Sequence, residues 1–531
     1  MGEQEVHTVK NKQCKYIFVT GGVLSGVGKG ITAASLGAII KAKGYNVTIQ
    51  KCDPYLNVDA RWIDPTEHGE RFVTHDGAVT DLDLGHYERF LDIETNKYST
   101  ALAGSIYKEL IDRERGGGFN GKTVQVMPHF TDLVQARIER SSRGSDVHIV
   151  EIGGTVGDYE SLAFVEAIRL FGNRVGRKNC LYINVVYVPW INTSKELKTK
   201  PAQNALKDLR GFGIIPDVVC VRTEKPAPRE ICEKIAVFSG ISSNAVVNLP
   251  DTESVYDVPF NVLKSGVLNI LNEFLGDRRE PDMSKWQEFS ECRAKKYRKT
   301  VRVGLVAKDE GSADMHLSIN EALKAAAAWN EVNIEINYID PEKYTKRDLV
   351  AVHGLIMPDS NRTNGAEGRI KIANYALENN KPYLGIAAGL SVAVVAAARR
   401  GGLKRAISEE FVENIRENVV YKVSRPKETD GTERLGDFVV NLEEESLVAE
   451  IYGEKQVVER HHSAYEVNKD FLEEIEEGGL KVSGWSERGN FVEFVEAPKH
   501  KFFVATQGHP EFKSRPLRVH PLFMNFLKSL R

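Results

Sequence analysis

Residues 16–31 read Tyr-Ile-Phe-Val-Thr-Gly-Gly-Val-Leu-Ser-Gly-Val-Gly-Lys-Gly-Ile. An apolar strand-like run, 16–19, passes through five glycines and Lys29 into an alanine-bearing, helix-like stretch, 31–42. A strand handed to a helix through glycine demands a βα unit, and so predicts a parallel α/β sheet. Glycines let backbone N–H groups turn inward toward phosphate oxygens. The helix N-terminus adds its dipole and Lys29 a full charge. The segment reads as a cradle for the phosphates of ATP or a relative, against the plainer reading of a tight turn with an exposed lysine.

The loop departs from G-x-x-x-x-G-K-[ST]. Five residues separate Gly22 from Gly28, and Gly30 stands where a hydroxyl would help hold Mg²⁺. Any Mg²⁺ oxygens must therefore come from carboxylates elsewhere.

A chain of 531 residues is expected to form more than one domain. With 27% charged residues and a net charge of −3, the composition argues against a general nucleic-acid binder. No apolar run reaches membrane-spanning length, and the polar residues 1–15 lack a secretory apolar core. The six cysteines (14, 52, 180, 220, 232, 292) show no C-x-x-C spacing, so a reduced, cytoplasmic setting without zinc is expected.

Strands are predicted at 17–19, 46–51, 123–127, 147–152, 180–188 and 218–222, with helices between them. Open α/β sheets bind ligands beyond the carboxyl ends of their strands. Lys51 and Glu151 are thereby placed on the rim that carries the glycine loop. The charged stretch 276–300 reads as a linker between a first domain, 1–275, and a second α/β domain, 301–531. Strands of the second domain are predicted at 300–307, 354–357, 383–386 and 502–506, with a mobile loop at 427–434.

Two further segments are dense in chemistry. Lys51-Cys-Asp-Pro-Tyr-Leu-Asn-Val-Asp59, Glu67-His-Gly-Glu70 and the run 76–90 gather carboxylates, histidines and glycines. Asp81 and Asp83, with Glu151, are candidates for the missing Mg²⁺ oxygens, against a solvated acidic turn. Lys198 and Lys200 flank Thr199 just before a proline and a helix, an arrangement suited to a second phosphate chain or to plain solvated lysines.

Together these segments resemble the CTP synthase family, ATP-dependent amidoligases that convert UTP to CTP. The resemblance covers the whole chain. It rests on Val19-Thr-Gly-Gly-Val, Gly28-Lys-Gly, Asp53-Pro-Tyr-Leu-Asn-Val-Asp, Thr80-Asp-Leu-Asp-Leu-Gly-His-Tyr-Glu-Arg-Phe, Thr123-Val-Gln-Val-Met-Pro-His, Glu151-Ile-Gly-Gly-Thr-Val-Gly-Asp-Tyr-Glu-Ser-Leu and Lys198-Thr-Lys-Pro-Ala-Gln, all in the family's order. It implies an N-terminal P-loop-like synthetase domain and a C-terminal class I glutamine-amidotransferase-like domain. It implies that Ser25, Gly26, Val27, Gly28, Lys29, Gly30, Ile31 and Arg222 contact ATP. Ser25 is also counted at the pyrimidine-nucleotide end, and Pro250, Asp251 and Thr252 lie beside the adenine. On the same resemblance, Asp83 and Glu151 would hold Mg²⁺, and Lys29 and Lys51 would steady the transferring phosphoryl group. Lys198, Thr199, Lys200, Gln203 and Lys234 would, by the same resemblance, grip the UTP triphosphate. Gln125, Asp158, Tyr159 and Glu160 would lie near the pyrimidine nucleotide, and the resemblance implies that some of them also bind CTP as feedback inhibitor. A homotetramer, with filaments as a further assembly, is implied in the same way.

The chemistry suits these residue types. Uracil O4 is a poor leaving group until ATP phosphorylates it; ammonia then attacks C4. Moving a phosphoryl group between anions calls for cations on every side.

The sequence also departs from the family. An amidotransferase needs a Cys nucleophile at a strand-to-helix elbow, with a His oriented by a Glu. Gly508-His-Pro-Glu-Phe512 supplies His509 and Glu511, but the elbow reads Tyr383-Leu-Gly-Ile-Ala-Ala-Gly-Leu-Ser391, and Ala387 takes the nucleophile's place. The oxyanion loop Pro-Gly-Gly-Phe-Gly is here Pro358-Asp-Ser-Asn-Arg362. Ser391 replaces a Gln, and Arg460-His-His-Ser-Ala464 lacks an arginine expected to hold the substrate. These joint losses predict a degenerate glutaminase. In the synthetase half, Arg61, Trp62 and Val79 replace small or acidic residues. Three readings follow: amination of UTP by free ammonia; joining of another amine or an amino acid to C4 of UTP or a related nucleotide; or a non-catalytic regulator or filament partner of an active synthase.

Overall fold

A computed structural model describes residues 14–24, 26–308, 313–360, 365–412, 417–423 and 433–531. The chain forms two compact units. One holds the residues up to Asp59 with His86–Met283; the other holds Ala60–Gly85 with Ser284–Arg531.

The first unit is built on β1 (Lys15–Gly21), α1 (Lys29–Ala42), β2 (Val47–Asp53), α2 (Asp83–Leu91, which starts in the other unit), β3 (Thr100–Leu102), β4 (Val147–Ile152), β5 (Cys180–Tyr187), α3 (Lys200–Gly211), β6 (Val218–Thr223) and β7 (Val246–Pro250). The strands form one sheet in the order β7-β6-β5-β1-β4-β2-β3, and every pairing is parallel. β4, β2 and β3 lie on one side of β1, and β5, β6 and β7 on the other. The order therefore reverses at β1, where open α/β sheets leave a crevice at the strands' carboxyl ends. The strands read as continuous apolar runs because helices cover both faces. Phe18, Ile149, Val150 and Val185 are fully buried, and Phe18 stacks on Tyr182 at 5.3 Å.

Residues 123–127 are not a strand. Val126–Phe130 form a single wide helical turn, and Val126 and Met127 are 45% and 47% exposed. Pro128 has no N–H to give a ladder, and the apolar residues before it have no facing layer. Alternation alone misread the segment. β3 and β7 have too few residues with too little pattern to announce themselves.

The second unit is built on α4 (Ser284–Ala294), β8 (Thr300–Leu305), α5 (Leu317–Trp329), β9 (Asn333–Tyr338), β10 (Gly354–Met357), β11 (Tyr383–Ile386), α6 (Ala388–Arg400), β12 (Arg434–Leu442), β13 (Gln456–Ser463), β14 (Lys481–Ser486), β15 (Val492–Glu496) and β16 (Phe503–Thr506). Its main sheet runs β9-β8-β10-β11-β16-β15-β14-β12-β13. The pairings from β9 to β16 are parallel and the rest antiparallel. The stretch 276–300 is more than a linker. Trp286 and Phe289 on α4 are 5% and 1% exposed, and Phe289 meets Trp329 of α5 at 6.1 Å. Two aromatics anchor a helix that its charge density concealed.

The segment Ala60–Gly85 joins this second unit through long-range contacts. Phe72 packs on Phe512 at 5.0 Å, Arg460 donates to the Val73 carbonyl at 2.7 Å, and Glu70 accepts from the Ser318 N–H at 2.8 Å. Of the expected loop 427–434, residues 427–432 lie outside the described residues, and Arg434 opens β12.

Candidate functional site

The glycine loop leaves β1 in a conformation that only glycine adopts cheaply. Gly26 and Gly28 have φ of 71° and 92°, and Gly28 precedes α1, whose Thr32 donates its N–H to the Gly28 carbonyl at 3.0 Å. Lys29 is 7% exposed, and its Nζ donates to the Gly154 carbonyl beyond β4 at 2.8 Å. A side chain at Gly21 would collide with the Lys29 stem, so the glycine makes room for the lysine to fold back over the loop. Arg222, in β6, lies against Gly28: a Cβ there would stand 3.4 Å from its Nε. The same guanidinium donates to the carbonyls of Leu249 and Pro250 at 2.8 and 3.1 Å and to Asp251 Oδ1 at 2.7 Å. Thr252 follows, its hydroxyl on the Ser254 carbonyl at 2.8 Å. Arg222 thus ties the glycine loop at Gly28 to Pro250 and Asp251, and Thr252 follows directly in the chain. Ser25 lies outside the described residues.

The neighbouring strands carry the carboxylates. In the β2–β4 register Lys51 stands opposite Glu151, as the rim argument required. Glu151 is 3% exposed and accepts from the Tyr87 hydroxyl. Lys51 Nζ lies 3.6 Å from Asp53 Oδ2, while Asp53 Oδ1 is buried with no hydrogen-bond partner. Asp53 stood inside a quoted motif without a role; its orphaned oxygen is what singles it out. Hard carboxylate oxygens from adjacent strands suit Mg²⁺. Among the described residues, no three His, Cys, Asp or Glu side chains form a ready-made metal cage. Asp83 opens α2 within the 60–85 segment of the other unit, so the first unit by itself offers Glu151 and Asp53.

α3 supplies the second cationic edge. Thr199 precedes α3 and Lys200 is its first residue; Gln203 Nε2 donates to Thr199 Oγ1 at 3.2 Å. Lys198 pairs with Glu196 at 2.6 Å, and the exposed Lys234 on a separate helix adds to the positive field at that glutamate. A Cβ at Gly22 would collide with Ala205, so α3 lies directly against the glycine loop. Asp158, Tyr159 and Glu160 are exposed, Tyr159 by 91%, on a loop held to β1 by the Val156 N–H on the Gly21 carbonyl and set against Asp208 of α3 at Gly157. Gln125 sits apart, its N–H on His129 Nδ1 at 3.0 Å.

In the second unit, β11 turns into α6 at Ala387, with φ 49° and ψ −106°. A non-glycine residue in this region is strained, as at the elbow that presents a nucleophile. The turn is tight: a side chain at Gly389 would collide with the Met357 carbonyl, and the Tyr383 hydroxyl donates to the Gly389 carbonyl at 2.8 Å. The residue presented is a methyl group. His509 Nδ1 lies 2.8 Å from Glu511 Oε1, its ring stacks on Phe512 at 4.9 Å, and its Nε2 has no partner. Burial lowers the His509 pKa, but Glu511, and then Asp359, outweigh it and raise it above the ordinary imidazole value. His462 is pushed down to about 4, by burial first and then by His509, and stays neutral where an arginine was expected. Ser391 is 2% exposed inside α6, four residues past the elbow.

Two carboxylates complete the surroundings. Asp359 Oδ1 accepts the Ala388 N–H at 3.4 Å. Glu410 is pushed up to about 8 by burial and then by Asp359, with a hydrogen bond from Ser391 opposing. Nothing in its local sequence, Ser408-Glu-Glu410, signalled a place here. A cavity of about 350 Å³ is lined by Arg71, Lys308, Asp359, His462, His509 and Glu511 among others.

Comparison with known proteins accounts for both halves. Residues 15–276 match the family model described as the CTP synthase N-terminus, and residues 312–529 match glutamine amidotransferase class-I. A CTP synthase from Carboxydothermus hydrogenoformans is 46% identical over 524 residues, covering 97% of this chain and 98% of that protein. One from Methanocaldococcus jannaschii is 44% identical over 533 residues, covering 98% of each. Similar along nearly its whole length to proteins with both halves, the chain belongs to the CTP synthase family, whose members are ATP-dependent C–N ligases.

Proposed function

We propose that this chain makes CTP from UTP and ATP with free ammonia as the nitrogen source, and that it does not hydrolyse glutamine. Ala387 carries the second half of that reading: a methyl group at the strained elbow cannot attack an amide. The synthetase half retains the phosphate loop, the paired Lys51 and Glu151, and the lysines at α3.

Uracil O4 attacks the γ-phosphorus of ATP, ADP departs, and O4 becomes a phosphate ester. Ammonia adds to C4, phosphate leaves, and a proton is lost to solvent. Lys29, held over the loop, and Lys51, beside Glu151, offset the charge that builds on the transferring group. Arg222 and the 250–252 segment orient ATP, and Lys198, Lys200, Gln203 and Lys234 hold the UTP triphosphate. Glu151 and Asp53 would hold Mg²⁺, which supplies Lewis-acid neutralisation of the phosphate oxygens. CTP as feedback inhibitor and a homotetrameric assembly belong to the same reading.

A product assay with UTP, ATP and Mg²⁺ tests it, comparing ammonium chloride, glutamine and a panel of amines. CTP is expected with ammonium and not with glutamine. CTP from glutamine overturns the nitrogen assignment, and no product with any amine overturns the ligase reading. A substituted product favours the second reading, to which Trp62, 90% exposed, and Arg61 point.

A further inference from the structure

Glutamine hydrolysis is barred by more than the missing thiol. We propose that Asp359 is a second, independent block: its carboxylate occupies the backbone N–H that a nucleophile at position 387 would need to stabilise an oxyanion. The inference rests on the reading that this chain does not hydrolyse glutamine.

When a nucleophile stands at a strand-to-helix turn, the N–H of the next residue points at the oxygen that becomes negative on attack. Here that residue is Ala388, the first of the 13-residue helix α6, so the helix dipole strengthens the same seat. Asp359 Oδ1 already lies on it at 3.4 Å. A developing oxyanion would have to displace a hydrogen-bonded carboxylate and would meet its charge at close range.

The position of Asp359 also answers a problem of charge. In a working thiolate–imidazolium pair, the sulfur balances the histidine. With Ala387 in place, the buried His509 has lost that anion. Glu511 supplies one negative charge through Nδ1, and Asp359 lines the same cavity. Both carboxylates favour the charged imidazole.

The cavity shows the same device a second time. The first turn of α5, which lines it at Ile319, receives Glu70: Oε2 accepts the Ser318 N–H at 2.8 Å, and Oε1 accepts the Ser318 hydroxyl. At both helix N-termini an anion seat is filled by a carboxylate of the chain itself. Restoring sulfur at 387 would therefore rebuild a nucleophile without an oxyanion site.

The test compares A387C with A387C/D359A, using two reagents. Iodoacetamide alkylates a thiolate without forming an oxyanion. p-Nitrophenyl acetate acylates it through one: sulfur bonds to the carbonyl carbon, the carbonyl oxygen carries the charge, and p-nitrophenolate leaves. Peptide mass spectrometry reads modification at residue 387, with the wild type and D359A as controls for the six native cysteines. The ratio of acylation to alkylation rate removes any change in thiolate reactivity. That ratio is expected to rise at least about tenfold on removing Asp359, the lower end of what one oxyanion donor contributes being about a hundredfold. An unchanged ratio overturns the proposal. Where A387C does not fold, judged by circular dichroism, A387S and A387S/D359A are acylated with the same ester; equal rates there overturn it too. Ammonium-dependent CTP formation by the wild type is scored separately, so failure of the nitrogen reading and failure of the Asp359 block give different results.

Discussion

His509 and Glu511 form a buried pair, with Nδ1 2.8 Å from Oε1 and neither residue more than 5% exposed. The pair raises the His509 pKa against its burial. A group whose folded pKa is raised stabilises the fold fully below its unfolded value and loses that contribution as pH rises through the folded value. Replacing His509 with Gln should therefore lower the melting temperature more at about pH 6, just below the ordinary histidine pKa, than at about pH 9. Thermal melts of both proteins across that range check the sign. The same variant should leave ammonium-dependent synthesis unchanged, since under the proposed function His509 has no nucleophile to serve.

Lys29 is held by the Gly154 carbonyl and has its stem over Gly21. Lys29→Ala should reduce kcat/KM for ATP by about 10²–10³-fold, as for loss of one preorganised charge partner. Lys29→Arg should not rescue it, because the buried ammonium donates as a compact point charge to the Gly154 carbonyl and a planar guanidinium fork does not reproduce that geometry. ADP release in the presence of UTP and ammonium measures both.

Two glycines of the loop should fail differently. A methyl at Gly22 collides with Ala205, so Gly22→Ala should displace α3, raise the KM for UTP and cost about 1–3 kcal/mol of stability. Gly26 has open space around it but a φ of 71°, so Gly26→Ala should cost about 1–2 kcal/mol through backbone strain and raise the KM for ATP instead. Separate substrate titrations distinguish the two.

What the sequence discloses here follows from how local each signal is. The run 16–31 announced β1, the loop and α1 because apolar pattern, glycine and lysine act within one stretch of chain. Lys51 and Glu151 could be set on one rim because strand ends are legible even when pairings are not; the register then put them opposite each other. Ala60–Gly85 could not be assigned to the second unit, since Phe72–Phe512 and Arg460–Val73 join residues hundreds of positions apart. Helix α4 was hidden because two aromatics, not a periodic stripe, hold it. Ala387 was legible as a missing thiol, but Asp359 only as a missing glycine. That its carboxylate lands on the Ala388 N–H is a fact of three dimensions.

Glu410 stands beside Asp359 and Ser391. Burial, with the Asp359 carboxylate second, pushes its pKa up to about 8. An exposed glutamate in the unfolded chain titrates near 4.3. Between those values the unfolded state has released a proton that the folded state still holds. Each step up in pH therefore favours unfolding, until the folded carboxyl also ionises near 8. Glu410→Gln has no proton to lose and keeps a polar group beside Ser391. Its melting temperature relative to the wild type should climb steadily from about pH 5 to about pH 8 and then level off. A difference that stays flat across this range would show that Glu410 is ionised in the fold at neutral pH despite its burial and the neighbouring Asp359 charge.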